Sequence, residues 1–133
     1  MSKNTGFVAE LGVQDVQAAV EFYADVVGCE LVEKAEDEQG WFWAEVAFNT
    51  SRLMFQRADM LSAEIPTITA HRGRPRAALV LRLEPVDAAK ALVVRLHKAG
   101  LAVDTGPVNT DYGSYEFSFR DLDDYVIVVA GRN

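Results

Sequence analysis

Apolar residues recur along this chain in two registers, and the registers take turns. Residues 7–13 (FVAELGV) read as a strand. Asp15 suits a helix N-cap, and from it Val16, Ala19, Val20, Phe22, Tyr23, Val26 and Val27 recur at helical spacing until Gly28. That pattern predicts a helix over 16–27 with a glycine stop. Strand-like segments at 29–34, 41–48 and 52–57 follow, separated by the turn-forming stretches EDEQG and NTS. Residues 58–76 then turn polar and carry Pro66, Gly73 and Pro75, as a connector does.

The order then begins again. Residues 77–83 (AALVLRL) read as a strand, and Pro85 suits the first turn of a helix. Val86, Ala89, Leu92, Val93 and Leu96 line that helix until Gly100. Strands are predicted at 101–104, 114–120 and 125–130, the last two joined through Asp121–Asp124. Val13, Val16, Ala18, Ala19 and Phe22 align without a gap on Leu83, Val86, Ala88, Ala89 and Leu92, and Gly28 meets Gly100 after a slip of two. An internal repeat of this kind sets the architecture: two similar halves, about 7–57 and 77–130, in a single domain over 1–133.

Composition narrows the function more than the fold. A chain of 133 residues, half of them apolar and a quarter charged, makes an ordinary globular domain. A net charge of −7 works against nucleic acid as a partner, since that affinity rests on basic clusters. The one basic cluster, His71, Arg72, Arg74 and Arg76, falls in the connector and reads as a solvated linker. Neither a leader nor a membrane-spanning apolar run is visible, so the expected setting is the cytoplasm. Lone Cys29 reads as a small core residue. Neither histidine has ligand-like spacing, His97 standing near a helix C-terminus where a cation complements the dipole.

Two stretches resemble the vicinal oxygen chelate superfamily of glyoxalases, bleomycin resistance proteins and extradiol dioxygenases. They are LGVQDVQAAVEFYADVVGCEL (Leu11–Leu31) and YGSYEFSFRDLDDYVIVVA (Tyr112–Ala130). In the second, Leu122 and Asp124 replace the proline and glycine of the usual Asp-Pro-Asp-Gly turn, and Asp tolerates the left-handed geometry used there. The resemblance implies an α+β fold of two tandem βαβββ modules forming a half-open barrel, helices outside and a cup inside. Strand alternation then turns Ala9, Leu11 and Val13 to the helix and Val8, Glu10 and Gly12 to the cup. The same parity sends Trp43, Glu45, Arg52, Met54 and Gln56 inward in the first half. In the second half it sends Ala78, Val80, Arg82, Ser114, Glu116, Ser118, Val126 and Val128 inward.

Enzymes of that superfamily chelate a divalent cation, and the corresponding positions here are Val8, Ala78 and Val128, with only Gln56 or Met54 near the fourth. Aliphatic side chains offer no lone pair, so the expectation is no metal and no cofactor. The cup then has two linings. Trp41, Trp43, Tyr112 and Met54 offer a stacking surface. Glu10, Glu45 and Glu116 suit a cation, with Arg52, Arg82, Gln56 and Ser118 beside them. Glu10 stands out, because a carboxylate inside an apolar strand is costly unless something satisfies it.

The expected function is a metal-free small-molecule binding protein, resembling the bleomycin resistance branch, that sequesters a planar or cationic compound as a homodimer. The alternative is a lyase- or dioxygenase-type enzyme with a non-standard site built from Glu10, Glu45, Gln56 and Glu116, acting as acid–base groups or as a displaced oxygen-rich metal site. A third class is a regulatory module with no small ligand.

Overall fold

The structure is a computed structural model and describes residues 6–67 and 77–133. The basic cluster at His71–Arg76 lies outside the described residues. The chain divides into two compact units, Met1–Arg72 and Gly73–Asn133, each carrying its own four-stranded mixed sheet. Neither sheet closes on itself. The class is α+β, as expected.

In the first unit the elements run β1 (Ala9–Val13), α1 (Val16–Phe22), β2 (Glu30–Asp37), β3 (Gly40–Phe48), β4 (Ser51–Arg57) and α2 (Ala58–Glu64). The sheet order is β1-β4-β3-β2, with β1 parallel to β4 and the rest antiparallel. Asp15 caps α1 as predicted, its Oδ1 accepting the Ala18 N–H at 3.0 Å. The predicted helix over 16–27 is present, but its second half, Tyr23–Val27, is π-helical. It ends at Gly28, whose φ of 99° is left-handed. One face of the sheet (Leu11, Val13, Ala44, Val46 and Phe55) buries against Val16, Ala19, Val20, Phe22 and Tyr23 of the helix. Tyr23 packs its ring on Phe55 at 5.0 Å.

The second unit repeats this with β5 (Leu79–Leu83), α3 (Val86–Lys98), β6 (Thr105–Asn109), β7 (Tyr115–Arg120) and β8 (Val126–Gly131), in sheet order β5-β8-β7-β6. Its core sets Ala89, Leu92 and Leu96 of α3 with Phe117, Phe119, Ile127 and Val129. The sequence repeat is thus a structural one. Val13 and Leu83 end the first strands, and the buried pairs Ala19/Ala89 and Phe22/Leu92 sit at matching places on the helices. The turn at Asp121–Asp124 forms as expected. Asp121 Oδ1 accepts the N–H groups of Asp123 and Tyr125, and Asp124 takes a left-handed φ of 66°.

Two expectations are corrected. The polar connector does not begin as loop, because Ala58–Glu64 is a helix with Leu61 buried beneath it. Residues 101–104 are not a strand; the Leu101 N–H is drawn back to Leu96 O at 2.9 Å, closing the helix. The ladder starts only where the Asp104 N–H meets Ser118 O. The strand lies instead at Thr105–Asn109, where Pro107 is tolerated because β6 is an edge.

Candidate functional site

Cross-strand partners point to the same face of a sheet, so the register places the side chains directly. On the first sheet one row runs Glu10–Met54–Glu45–Glu33, and the next runs Gly12–Gln56–Trp43–Ala35. Arg52 pairs with Ala47 in a third row. Met54, Glu45 and Trp43 alternate with the buried Phe55, Ala44 and Val46, which face α1. Glu10, Trp43, Glu45, Arg52, Met54 and Gln56 therefore share the face turned away from α1, as parity predicts.

That face has a floor and one wall. Trp43 and Met54 are half-buried, while Gln56 is 6% exposed. The wall is α2, which packs against the face over Gly12: a Cβ built there would stand 3.4 Å from both Ala58 Cα and Leu61 Cδ2. This helix was missed in the sequence because seven residues fall below the window in which helical periodicity registers. The available signal was the five good helix formers Ala58, Met60, Leu61, Ala63 and Glu64 among the seven.

Charges on the face are partly spoken for. Arg52 Nη1 lies 3.1 Å from Glu45 Oε2, with Glu45 the better shielded partner. Glu33 stands directly opposite Glu45 in the ladder, a like-charge juxtaposition that destabilises unless a cation relieves it. Glu10 is exposed, so its carboxylate keeps its water. Water is thus what satisfies this strand carboxylate, on a strand at the edge of its sheet.

Trp41 leaves this face, contrary to expectation. Trp43 opposes Ala35 but Trp41 opposes Glu36, the next residue on β2, so a bulge at Phe42 shifts the alternation by one. Trp41 accordingly sits with Lys34 and Glu36. The Lys34 ammonium lies 4.6 Å from the indole centroid and 3.0 Å from Glu36 Oε1. The bulge also sets Phe42 beside Arg57, whose guanidinium is 6.0 Å from the ring and ties the β2–β3 turn down by bonding Asp37 and Gln39. The Gln39 N–H, donating to Asp37 Oδ1 at 2.9 Å, and then the Arg57 guanidinium hold the Asp37 carboxyl below its ordinary range.

On the second sheet the rows are Arg82–Ala130–Glu116–Val108 and Val80–Val128–Ser118–Thr105. Arg82, Glu116 and Ser118 thus share the face away from α3, as predicted. Ser118 Oγ is 2.6 Å from Thr105 Oγ1. Tyr112 donates its hydroxyl to Glu116 Oε2 at 2.9 Å, which raises the phenol's pKa. Thr110 and Ser114 close the loop beneath Tyr112 by three hydrogen bonds.

The donor set does not fit the divalent cation that the fold resemblance suggests. Val8 precedes β1, Val128 stands opposite Val80 in the ladder, and Ala78 precedes β5, all three aliphatic. Among the described residues no three His, Cys, Asp or Glu side chains come together as a metal site. Cys29 is buried, its thiol pushed up to about 11 by desolvation, and behaves as a core residue. No helix among the described residues is long and apolar enough to cross a membrane.

Comparison with solved structures finds this fold repeatedly. A glyoxalase/bleomycin resistance protein/dioxygenase family enzyme from Burkholderia phytofirmans PsJN is 17% identical with a TM-score of 0.79, over 95% of this chain and 97% of that one. A lactoylglutathione lyase from Agrobacterium tumefaciens is 21% identical with a TM-score of 0.72, over 96% and 93% of the two chains. Likeness at those identities is one of fold. TnmS3, an antibiotic binding protein from Streptomyces sp. CB03234, is 27% identical with a TM-score of 0.68, over 98% of both chains. No curated protein matches the chain. The family model of the glyoxalase/bleomycin resistance protein/dioxygenase superfamily matches residues 7–129, and the chain belongs to that superfamily.

Proposed function

We propose that this protein binds and sequesters a planar, cationic organic compound without a metal, on the first sheet's face away from α1. The observation that carries this reading is the register that gathers Trp43, Met54 and Gln56 with Glu10, Glu45 and Glu33 on that one face. An indole and a thioether supply polarizable area, worth about 0.5–1.5 kcal/mol per aromatic contact beyond burial. Three carboxylates share one row, and among the described residues Arg52 answers only Glu45. A cationic guest relieves the Glu33–Glu45 opposition. The similarity to TnmS3 supports a binding role. Arg82, Glu116 and Ser118 form a second polar patch on the other sheet, available to a homodimer's ligand sites.

The rival enzyme reading rests on Glu10, Glu45, Gln56 and Glu116, and of these Glu45 is paired with Arg52 and Glu116 accepts the Tyr112 hydroxyl.

The two tryptophans make the test direct, because they stand on opposite sides of the bulge. Titration with 1-naphthylmethylammonium should move the indole N–H resonance of Trp43 and leave that of Trp41 in place. Trp43→Ala should weaken binding while the fold persists, and Glu10→Gln should weaken the ammonium probe more than 2-methylnaphthalene. If neither indole responds to a panel of such compounds, while small carbonyl substrates are consumed in a Glu10-dependent way, the protein is an enzyme instead.

A further inference from the structure

On the second sheet, the face away from α3 carries a buried hydroxyl left over from folding. Ser114 is 2% exposed, and its Oγ has no hydrogen-bond partner among the described residues. Ser114 stands two residues before Glu116, so strand alternation puts both side chains on that face. The position past the Tyr115–Gly131 pair sets Arg132 across from Ser114. Tyr112 spans this corner: its hydroxyl reaches Glu116 Oε2 at 2.9 Å, and the Arg132 guanidinium lies 5.7 Å from its ring centroid. A ring held at Glu116 and at Arg132 passes over Ser114, which lies between them. As a seal it is a poor one, because Tyr112 stays 60% exposed and leaves the hydroxyl beneath it unsatisfied. A buried hydroxyl without a partner costs free energy on folding, and alanine would fill the position without that cost. The arrangement is instead that of a bound phenol, with a carboxylate accepting its hydroxyl and a guanidinium on its ring face.

We infer that Glu116, Arg132 and Ser114 form a phenol-binding subsite, that Tyr112 is its built-in occupant, and that the guest displacing Tyr112 is a phenol whose second polar substituent meets Ser114 Oγ. The inference goes beyond the sequestration reading, which concerns the first sheet. A guest enters only in the fraction of molecules whose Tyr112 has swung out, and its apparent affinity falls by that fraction. Ser114 gives the guest an advantage over the occupant. Its hydroxyl can donate to or accept from a ring substituent, a bond that Tyr112 does not make.

The test titrates the full chain with phenol and with resorcinol, following the backbone amides of Ser114 and Glu116 by NMR. Tyr112→Ala should bind resorcinol at least about tenfold more tightly than the intact protein, because the occupant is gone. In that background resorcinol should exceed phenol by about fivefold, the worth of one net hydrogen bond, and Ser114→Ala should bring the ratio to about one. Tyr112→Phe keeps the ring, releases Glu116 and covers the case in which the alanine variant does not fold; it should also bind both probes more tightly than the intact protein. If neither Tyr112 variant gains affinity, Tyr112 is no occupant and the inference is overturned. A resorcinol preference that is absent, or that survives Ser114→Ala, overturns the role of Ser114. The Trp43 indole reports on the first sheet separately, so failure here leaves the sequestration reading standing.

Discussion

Gly131 ends β8 beneath α3, and its missing side chain is what lets the helix sit where it does. A Cβ built on Gly131 would stand 2.6 Å from Ala89 Cβ, with Tyr115 O and Val86 Cα each at 3.6 Å. Carbon atoms in contact prefer about 3.5–4.0 Å, so Gly131→Ala is short by roughly 1 Å against a fully buried methyl on a helix backbone. Neither carbon has a torsion that relieves the clash, so α3 itself must lift. Lifting it loosens Leu92 and Leu96, both fully buried. Over-packing of this kind costs about 1–3 kcal/mol. Ala89→Gly alone costs about 1 kcal/mol in helix propensity and about 0.8 kcal/mol for the lost methyl. In the double variant the new methyl fills the space the old one leaves. Urea unfolding of the four proteins, with m held constant, should show the double variant no less stable than Ala89→Gly alone. If the two penalties instead add to within about 0.5 kcal/mol, the clash is not what makes Gly131 necessary.

Three further expectations are simpler. Burial holds the Cys29 thiol protonated to about 11, above its ordinary value of 9.0, so stability is full below pH 9 and declines as pH rises from 9 to 11 while the unfolded thiol ionises. Cys29→Ala should flatten that part of a pH–stability curve, and an unchanged slope speaks against the desolvated thiol. Elemental analysis of the purified protein should find no stoichiometric zinc, nickel, manganese or iron; about one ion per chain, removed by chelators with loss of an activity, would restore the enzyme reading. Light scattering at micromolar concentration should report a homodimer, since β2 offers an unpaired eight-residue edge; a monomer contradicts the proposed assembly.

Much of this was legible in the residues. The match of Val16, Ala19 and Phe22 to Val86, Ala89 and Leu92 forecast two helices with the same buried stripe, because one packing problem was being solved twice. Strand parity forecast the shared face of Met54, Gln56 and Trp43, because alternation is a local property that survives twist. What escaped depends on counting across strands or on distant contacts. Nothing near Trp41 announces that β3 has one residue more than β2 between their pairings. The i, i+4 reach of Tyr112 to Glu116 depends on how the Thr110–Ser114 loop folds back. The seven residues of α2 form a helix because Leu61 finds a floor at Gly12, a contact invisible in the segment itself.

The extra residue at Phe42 has an evolutionary consequence. Substitution alone cannot move Trp41 to the other side of its sheet, but one codon inserted between those for Ala35 and Glu36 would. The inserted residue would pair with Phe42, restore unbroken alternation, and swing Trp41 and Glu36 together onto the surface that holds Trp43. That change lies two residues from a turn, where length variation is tolerated, and leaves the core strands untouched. Relatives that differ by a single insertion in this hairpin would therefore carry one indole or two on the same surface and, under the sequestration proposed above, would take guests of different breadth from nearly identical sequences.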